Sequence, residues 1–573
     1  SANESDKIDI TKIPLKDERT FSLLQQCITT AVFQLESRGM KDLIRRLKPD
    51  CFEDIVALVA LFRPGPLQSG MVDDFIDRKL GRAEIEYPHP DLGPILQPTY
   101  GVILYQEQVM QIAQILAGYT LGAADVLRRA MGKKNLDEMA KQREIFVSGA
   151  VERGVVEATA AYIFDLMEKF AGYGFNKSHS AAYALVAYQT AWLKAHHTAA
   201  FMAAVLSSDM ANTDKTVFSI DECKSLKIKV LVPCVNKSIY HFTTTDENLI
   251  RYGLGAIKGV GEGAIEAVLK ERNRGGEFKD LLDFCSRMEL RKVNKKVMEA
   301  LVYSGAMDVF GEHRAALMYQ LPATMQAAEK MQSDLSIGQN DLFGLGAISA
   351  ETICGQATTI KPWPERELLR NEKNTLGLYF SGHPITEYEK KLEQMRCTQI
   401  KDLEVTKNIR ISGFLLAIRT MITKRGDKMA FITIEDRTSR QEIAVFADVF
   451  KDKTELLVKD TLLVVEGLVD HDKYSGGLRV RATKILSFAE AVNEHTRALS
   501  VRVDATKVSE EDVDMILNTI DGHVDDTFGK PVRIIYKNAE GLAVINMEQK
   551  CKITVNLLDE LSNISNTQGE LHV

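Results

Sequence analysis

The sequence predicts a multidomain chain: a mainly α N-terminal part, a second helical region built on a glycine-bearing turn, a β-barrel, and a small α+β domain. Three observations predict it. Up to about Asp246 the pattern is helical, broken by Arg63-Pro64-Gly65-Pro66 and Tyr87-Pro88-His89-Pro90. Ile409–Phe488 then holds five strand-like runs, IRISGFLLAIRTMI, MAFITIEDR, QEIAVFA, TLLVVEGLV and GLRVRATKIL. Ala498–Val573 alternates strand, helix, strand, strand, helix. A chain of 573 residues has room for about three to five such domains.

In chain order, Leu104–Ala117 places Val109, Ile112, Ala113 and Leu116 on one helical side. Ala171–Tyr183, AGYGFNKSHSAAY, sets an aromatic and glycine turn before Asn176-Lys177-Ser178-His179 and an apolar helical run. A loop that feeds a helix N-terminus favours an anion, because free N–H groups and the helix dipole point at it. Lys177 adds charge and Ser178 can cap the helix. His179, Tyr183, Thr190 and Lys194 share one face that suits a phosphorylated ligand. On spacing alone the same residues fit an ordinary capped core helix, a far commoner thing than an anion site.

Arg251–Phe310 contains GLGAIKGVGEGAIEAVLKER, in which Gly259-Val260-Gly261 between helical segments reads as a helix-hairpin-helix turn. Glycines there let backbone N–H groups approach a phosphate, although such turns also serve plain helix packing. Gln332–Glu365 loses periodicity and reads as a linker. Inside it, Gln339, Asp341, Leu342 and Phe343 form a peptide anchor whose two apolar side chains need a pocket, on a partner or on their own domain. The five strands, with a helical stretch Asp448–Lys459 between the third and fourth, suggest an OB-fold. Its aromatics, Phe414, Phe431, Phe446 and Tyr474, are few, so single-strand binding there should be weak, and a purely structural or protein-binding barrel stays open.

Composition narrows the function classes. The richest apolar stretch, Ala181–Leu206, contains Gln189, Lys194, His196 and His197, so it reads as a buried helix and no membrane partner is expected. The N-terminal SANESDKIDITK lacks a signal-peptide core, and eight scattered cysteines without a Cys-x-x-Cys pair argue for reduced thiols and against zinc. A cytoplasmic location is expected. Net charge is −7, but residues 501–573 alone hold 13 acidic against 7 basic residues, so the remainder is nearly neutral and leaves room for basic patches.

Six stretches together resemble the bacterial DNA polymerase III alpha subunit family, the replicative C-family polymerases. They are AVFQLESRGM (Ala31–Met40), LFRPGPLQSGMVDDFIDRK (Leu61–Lys79), PTYGVILYQEQVMQIAQ (Pro98–Gln114), GAADVLRRAMGKK (Gly122–Lys134), the Ala171–Tyr183 segment, and TLGLYFSGHP (Thr375–Pro384). The match runs from about Ile13 to at least Glu490. The resemblance implies a fingers domain at 1–246, a helix-hairpin-helix DNA-binding region at 247–331, and a linker with a clamp-binding motif at 332–366. It further implies a connector at 367–406, an OB-fold at 407–490 and a clamp-loader-binding domain at 498–573.

It also implies roles. Arg128 and Arg129 would contact the triphosphate, a task suited to paired guanidiniums, although two arginines beside acidic neighbours also suit a plain helix surface. Asn176, Lys177, Ser178 and His179 would wall the dNTP pocket, with His179 against the sugar. Lys258, Gly259, Gly261 and Gly263 would meet primer-template DNA. Gln339, Asp341, Leu342 and Phe343 would bind the sliding clamp, and the C-terminal domain the tau subunit of the clamp loader. The family's Mg²⁺ ions are held by palm aspartates, and no stretch here resembles those palm motifs, so no catalytic or metal residue is assigned. Asp73-Asp74 and Asp525-Asp526 read as solvated charges. The expectation is a polymerase piece, inactive alone, that begins where the fingers would begin. A non-catalytic DNA-binding and docking scaffold, or the error-prone paralogue of the same family, are the alternatives. After Lys194 the family continues Ala-His-Tyr-Pro; here Ala195-His196-His197-Thr198 follows, which leaves the helix stop less defined.

Overall fold

The computed structural model describes all residues except 1–7, 134–135, 172–173, 338–359, 424–425, 472–477, 505, 526, 538–540, 565–566 and 573. The chain forms two compact units. One reaches to Ile360 and includes Thr375–Gly377; the other comprises Lys361–Asn374 and Leu378 onward.

The first unit is helical, with two cores. One gathers the helices Glu18–Gln25, Arg38–Leu47, Phe52–Leu61 and Lys177–His196 around Leu24, Ile44, Leu58, Phe75 and Tyr188. The other gathers Gln106–Ala117, Leu121–Lys133, Leu136–Glu152 and Glu157–Ala171. The expected stripe of Val109, Ile112, Ala113 and Leu116 is buried in it. Spacing of three and four residues put these side chains on one face, and burying that face stabilises the helix more than propensity does.

A small sheet follows, in the order β1 (Lys229–Leu231), β3 (Leu249–Arg251), β2 (Thr243–Asp246). The helices Glu262–Gly275, Leu281–Arg287 and Lys295–Tyr303 come next. Ahead of Gly259 the chain makes a 3₁₀ turn, Leu254–Ala256, rather than the expected helix. The long helix Arg314–Ile337 runs into the stretch expected to be linker. Gln332 is part of it and donates to the carbonyls of Ser286 and Met288 at 2.9 and 2.8 Å. Those bonds tie a segment whose own sequence shows no periodicity to the C-terminal end of the helix Leu281–Arg287. Gln339, Asp341, Leu342 and Phe343, expected to bind the clamp, lie outside the described residues.

The second unit contains a closed barrel, ordered β4 (Thr406–Ile422), β5 (Lys428–Glu435), β6 (Arg440–Val445), β8 (Leu478–Ser487), β7 (Leu462–His471). β6 and β7, the third and fourth strands in sequence, are joined by the helix Ala447–Lys453, as the sequence predicted. Gly467 sits at a β7–β8 irregularity where a Cβ would stand 2.2 Å from the Arg481 carbonyl, so only glycine lets the two backbones approach. The C-terminal sheet is ordered β11 (Leu542–Cys551), β10 (Lys530–Lys537), β9 (Ala498–Asp504), β12 (Thr567–His572). The last strand was not expected. Its run, TQGELH, has little apolar alternation of its own and is recruited by antiparallel pairing to β9.

Candidate nucleotide and nucleic-acid sites

The segment after Gly174 is anchored by the strand-like run before the helix Gln106–Ala117. Phe175 N–H donates to the Leu104 carbonyl at 3.2 Å, and Gln106 N–H donates to the Phe175 carbonyl at 2.9 Å. Gln106 then reaches both ways. Its amide nitrogen donates to the Gly174 carbonyl at 3.2 Å, and its amide oxygen accepts from the Arg128 guanidinium at 3.2 Å. Its neighbour Glu107 accepts from the Asn176 side chain at 3.0 Å and from the Lys177 backbone N–H at 2.9 Å. Two consecutive residues thereby draw Arg128 and Asn176-Lys177, separate in sequence, to one helix start.

The helix Lys177–His196 is capped by Asn176, not by Ser178. The Asn176 side-chain oxygen accepts from His179 N–H at 2.8 Å, with φ −70° and ψ 119°. That extended conformation defines an N-cap, and Ser178 is already inside the first turn. Asn176, Lys177, Ser178 and His179 are all exposed. The His179 ring lies tilted against Tyr183, 4.4 Å between centroids, and meets Phe175 edge-on at 5.3 Å. The Arg63 guanidinium covers Phe175 at 4.2 Å, and burial pulls its pKa below the ordinary value.

Arg128 and Arg129 share one acid. Asp125 accepts from Arg128 at 2.7 and 2.9 Å through one oxygen and pairs with Arg129 at 2.7 Å through the other. Hydrogen bonding from Arg128 holds the Asp125 carboxyl below its usual range. The arginines remain partly exposed, so other anions can reach them.

The face expected to run from His179 to Lys194 is broken. Lys194 is fully buried, paired with Glu222 at 2.6 Å and donating to the Thr30 carbonyl at 2.8 Å. Thr190 accepts from Phe33 N–H at 3.1 Å. At 3.6 residues per turn Lys194 stands about 60° round the helix from His179, and it meets Glu222 of the helix Thr213–Ser225, so Lys194 is buried while His179 is exposed.

Among the described residues, Asp50, Cys51 and Asp54 form a cluster of metal-ligand types. They do not fit Mg²⁺. The Lys79 ammonium already lies 3.0 and 2.8 Å from the two carboxylates, and a thiol is a soft donor. Asp73 is exposed beside Arg46, as a solvated charge would be, and Asp525 caps a turn through Thr527 and Phe528 N–H.

In the hairpin region, Gly259 adopts φ +88°, a left-handed turn that glycine takes without strain. Gly261 is the N-cap of the helix Glu262–Gly275, without a side-chain cap, and a Cβ at Gly261 or Gly263 would meet open space. Lys258 is exposed beside them. The barrel's aromatics divide. Phe446 is exposed, Phe431 lies under Arg419 at 4.9 Å, and Phe414 turns inward against Tyr388 and His383. Tyr474 lies outside the described residues.

Three family models match in the order of these structures. Residues 1–154 match the bacterial DNA polymerase III alpha subunit finger domain. Residues 227–317 match a helix-hairpin-helix motif, and 409–487 an OB-fold nucleic acid binding domain. The DNA polymerase III subunit alpha of Escherichia coli K12 is 49% identical over 581 residues, covering 99% of this chain. That of Vibrio cholerae is 49% identical over 567 residues, covering 97%, and that of Pasteurella multocida 52% over 502 residues, covering 86%. The chain belongs to the DNA polymerase III alpha subunit family. It spans about half the length of the curated relatives it matches: 50%, 49% and 43% of these three. No helix among the described residues is long and apolar enough to cross a membrane.

Sequence reasoning missed Gln106, Glu107 and Arg63 as parts of this site. They lie within two of the stretches that carry the resemblance, but a glutamine at a helix start carries no signal of what it will bridge. Asp125 was legible, because it stands three and four residues before the arginines.

Proposed function

We propose that this chain is the nucleotide-positioning and DNA-holding part of a replicative DNA polymerase that extends a primer with dNTPs on a DNA template. One observation carries the reading: Gln106 and Glu107 bring Arg128 and the Asn176–His179 helix start to one place. Guanidiniums and first-turn N–H groups suit a triphosphate, by charge and by directed donors. Arg128 and Arg129 clamp the phosphates, Asn176, Lys177 and Ser178 wall the pocket, and His179, held between Phe175 and Tyr183, lies against the sugar. We assign the fingers role to 1–246.

Other parts serve the DNA and its machinery. Lys258 and the N–H groups at Gly259, Gly261 and Gly263 meet the duplex backbone within 247–331, without base readout. The barrel at 407–490 meets single-stranded template weakly. Gln339–Phe343 in the 332–366 linker docks the sliding clamp, 367–406 connects linker to barrel, and 498–573 takes the clamp loader's tau subunit. The location is the cytoplasm. Mg²⁺ supplies the Lewis-acid chemistry of nucleotidyl transfer when bound. This chain offers no carboxylate set that we assign to it, so the chain alone should extend no primer. A primer-extension assay with dNTPs and Mg²⁺ checks this, and incorporation that persists through repeated purification would overturn it.

In the complete polymerase, Arg128→Ala and Arg129→Ala should each lower kcat/KM for the dNTP by roughly 10- to 100-fold, from losing about 1.5–3 kcal/mol of charge-assisted bonding. Parent-like kinetics in both folded variants would return the arginines to an ordinary helix surface. The pairing of both arginines with Asp125 favours the second reading, a non-catalytic DNA-binding and docking scaffold.

A further inference from the structure

We infer that Asp125 is a built-in competitor for the anion that Arg128 and Arg129 receive, and that it sets how tightly a triphosphate binds; this rests on the reading of the two arginines as phosphate ligands. Both oxygens of one carboxylate are engaged, Oδ1 by Arg128 and Oδ2 by Arg129. A bridging carboxylate is the geometry that two oxygens of a phosphate chain would take up between the same guanidiniums. Three side chains within one and a half helical turns therefore form a closed group in the free chain, in which one carboxylate offsets half of the arginines' charge.

The group is poised to open. Asp125, Arg128 and Arg129 are all partly exposed, so water can replace each bond as it breaks, and an exposed pair of this kind is weak. Arg128 has a second anchor independent of Asp125, the Gln106 oxygen on the neighbouring helix. When the carboxylate is displaced, Gln106 keeps that guanidinium facing the Gly174–Phe175 loop. Asp125 thus opposes the incoming phosphates by repulsion and by occupying their donors, while Gln106 preserves the receiving geometry. No bond is made or broken in this exchange beyond the ion pairs.

Titration calorimetry of the full chain with inorganic triphosphate at low salt tests the inference. Asp125→Asn keeps the side-chain shape and removes the charge. It should tighten binding about three- to tenfold, the size of one unit-charge repulsion at a few ångströms near water, and the gain should shrink as salt is added. Asp214→Asn, an exposed acid on another helix, should leave affinity unchanged. Equal gains from Asp125→Asn and Asp214→Asn would mean net charge alone is at work and would overturn the inference. So would affinity that is unchanged, weaker or undetectable in Asp125→Asn. The arginine reading is judged separately. If Arg128→Ala with Arg129→Ala abolishes binding while Asp125→Asn has no effect, the arginines receive the anion and Asp125 does not compete. If the double variant binds as the parent does, the reading of the arginines fails and the inference falls with it.

Discussion

Glu435 ends β5 largely buried, and burial alone would raise its pKa. The Arg440 guanidinium at 2.7 Å and the His383 ring at 3.6 Å outweigh that and hold it at about 2. The sign follows from linkage. A carboxylate depressed below its unfolded value of about 4.3 contributes stability above that value and loses it as pH falls toward 2. Glu435→Gln should therefore destabilise the barrel by on the order of 2–3 kcal/mol at pH 7, with the deficit vanishing near pH 2. Thermal melts of parent and variant between pH 7 and 2 check this, and a deficit independent of pH would mean the loss is one of packing. At this scale the sequence marks which residues carry charge, such as Arg128 and Asp125. It does not mark which distant group completes their surroundings, as Gln106 does for Arg128 and His383 for Glu435.

The helix Lys177–His196 shows what elements add. Its start was legible as a polar cluster before an apolar run, but the cap moved from Ser178 to Asn176 because backbone angles, not residue type alone, decide an N-cap. Its far end is fixed by Lys194, which ties it to Glu222 on the helix Thr213–Ser225. Burial outweighs that pairing and lowers the lysine pKa. Lys194→Ala should cost about 3–5 kcal/mol, since Glu222 would lose its partner in a poorly hydrated place. Lys194→Met with Glu222→Gln should recover most of it. Urea unfolding followed by Trp192 fluorescence, in a Trp363→Phe background, measures both. A double variant as unstable as the single would show that the cost lies in lost packing.

At the scale of the molecule, the chain joins a helical unit to a unit of barrel and sheet. Docking belongs to this scale. In the complete polymerase, Leu342→Ala with Phe343→Ala should abolish clamp binding, since truncating a buried anchor costs about 2 kcal/mol or more. Synthesis without the clamp should be unaffected. Surface plasmon resonance against the clamp checks it, and retained affinity would place the contact elsewhere. By itself the sequence determined the order of helical part, hairpin, barrel and α+β domain, because apolar periods of 3.6 and 2 and the glycine turns are local properties. It also determined the family, through long motifs kept in order. Only the tertiary structure decided that Lys194 is buried while His179 is exposed, that TQGELH becomes a strand, and that Gln106 and Glu107 unite two motifs. Those outcomes depend on which surfaces meet across many residues of chain, and a long-range contact leaves no period in the sequence to read.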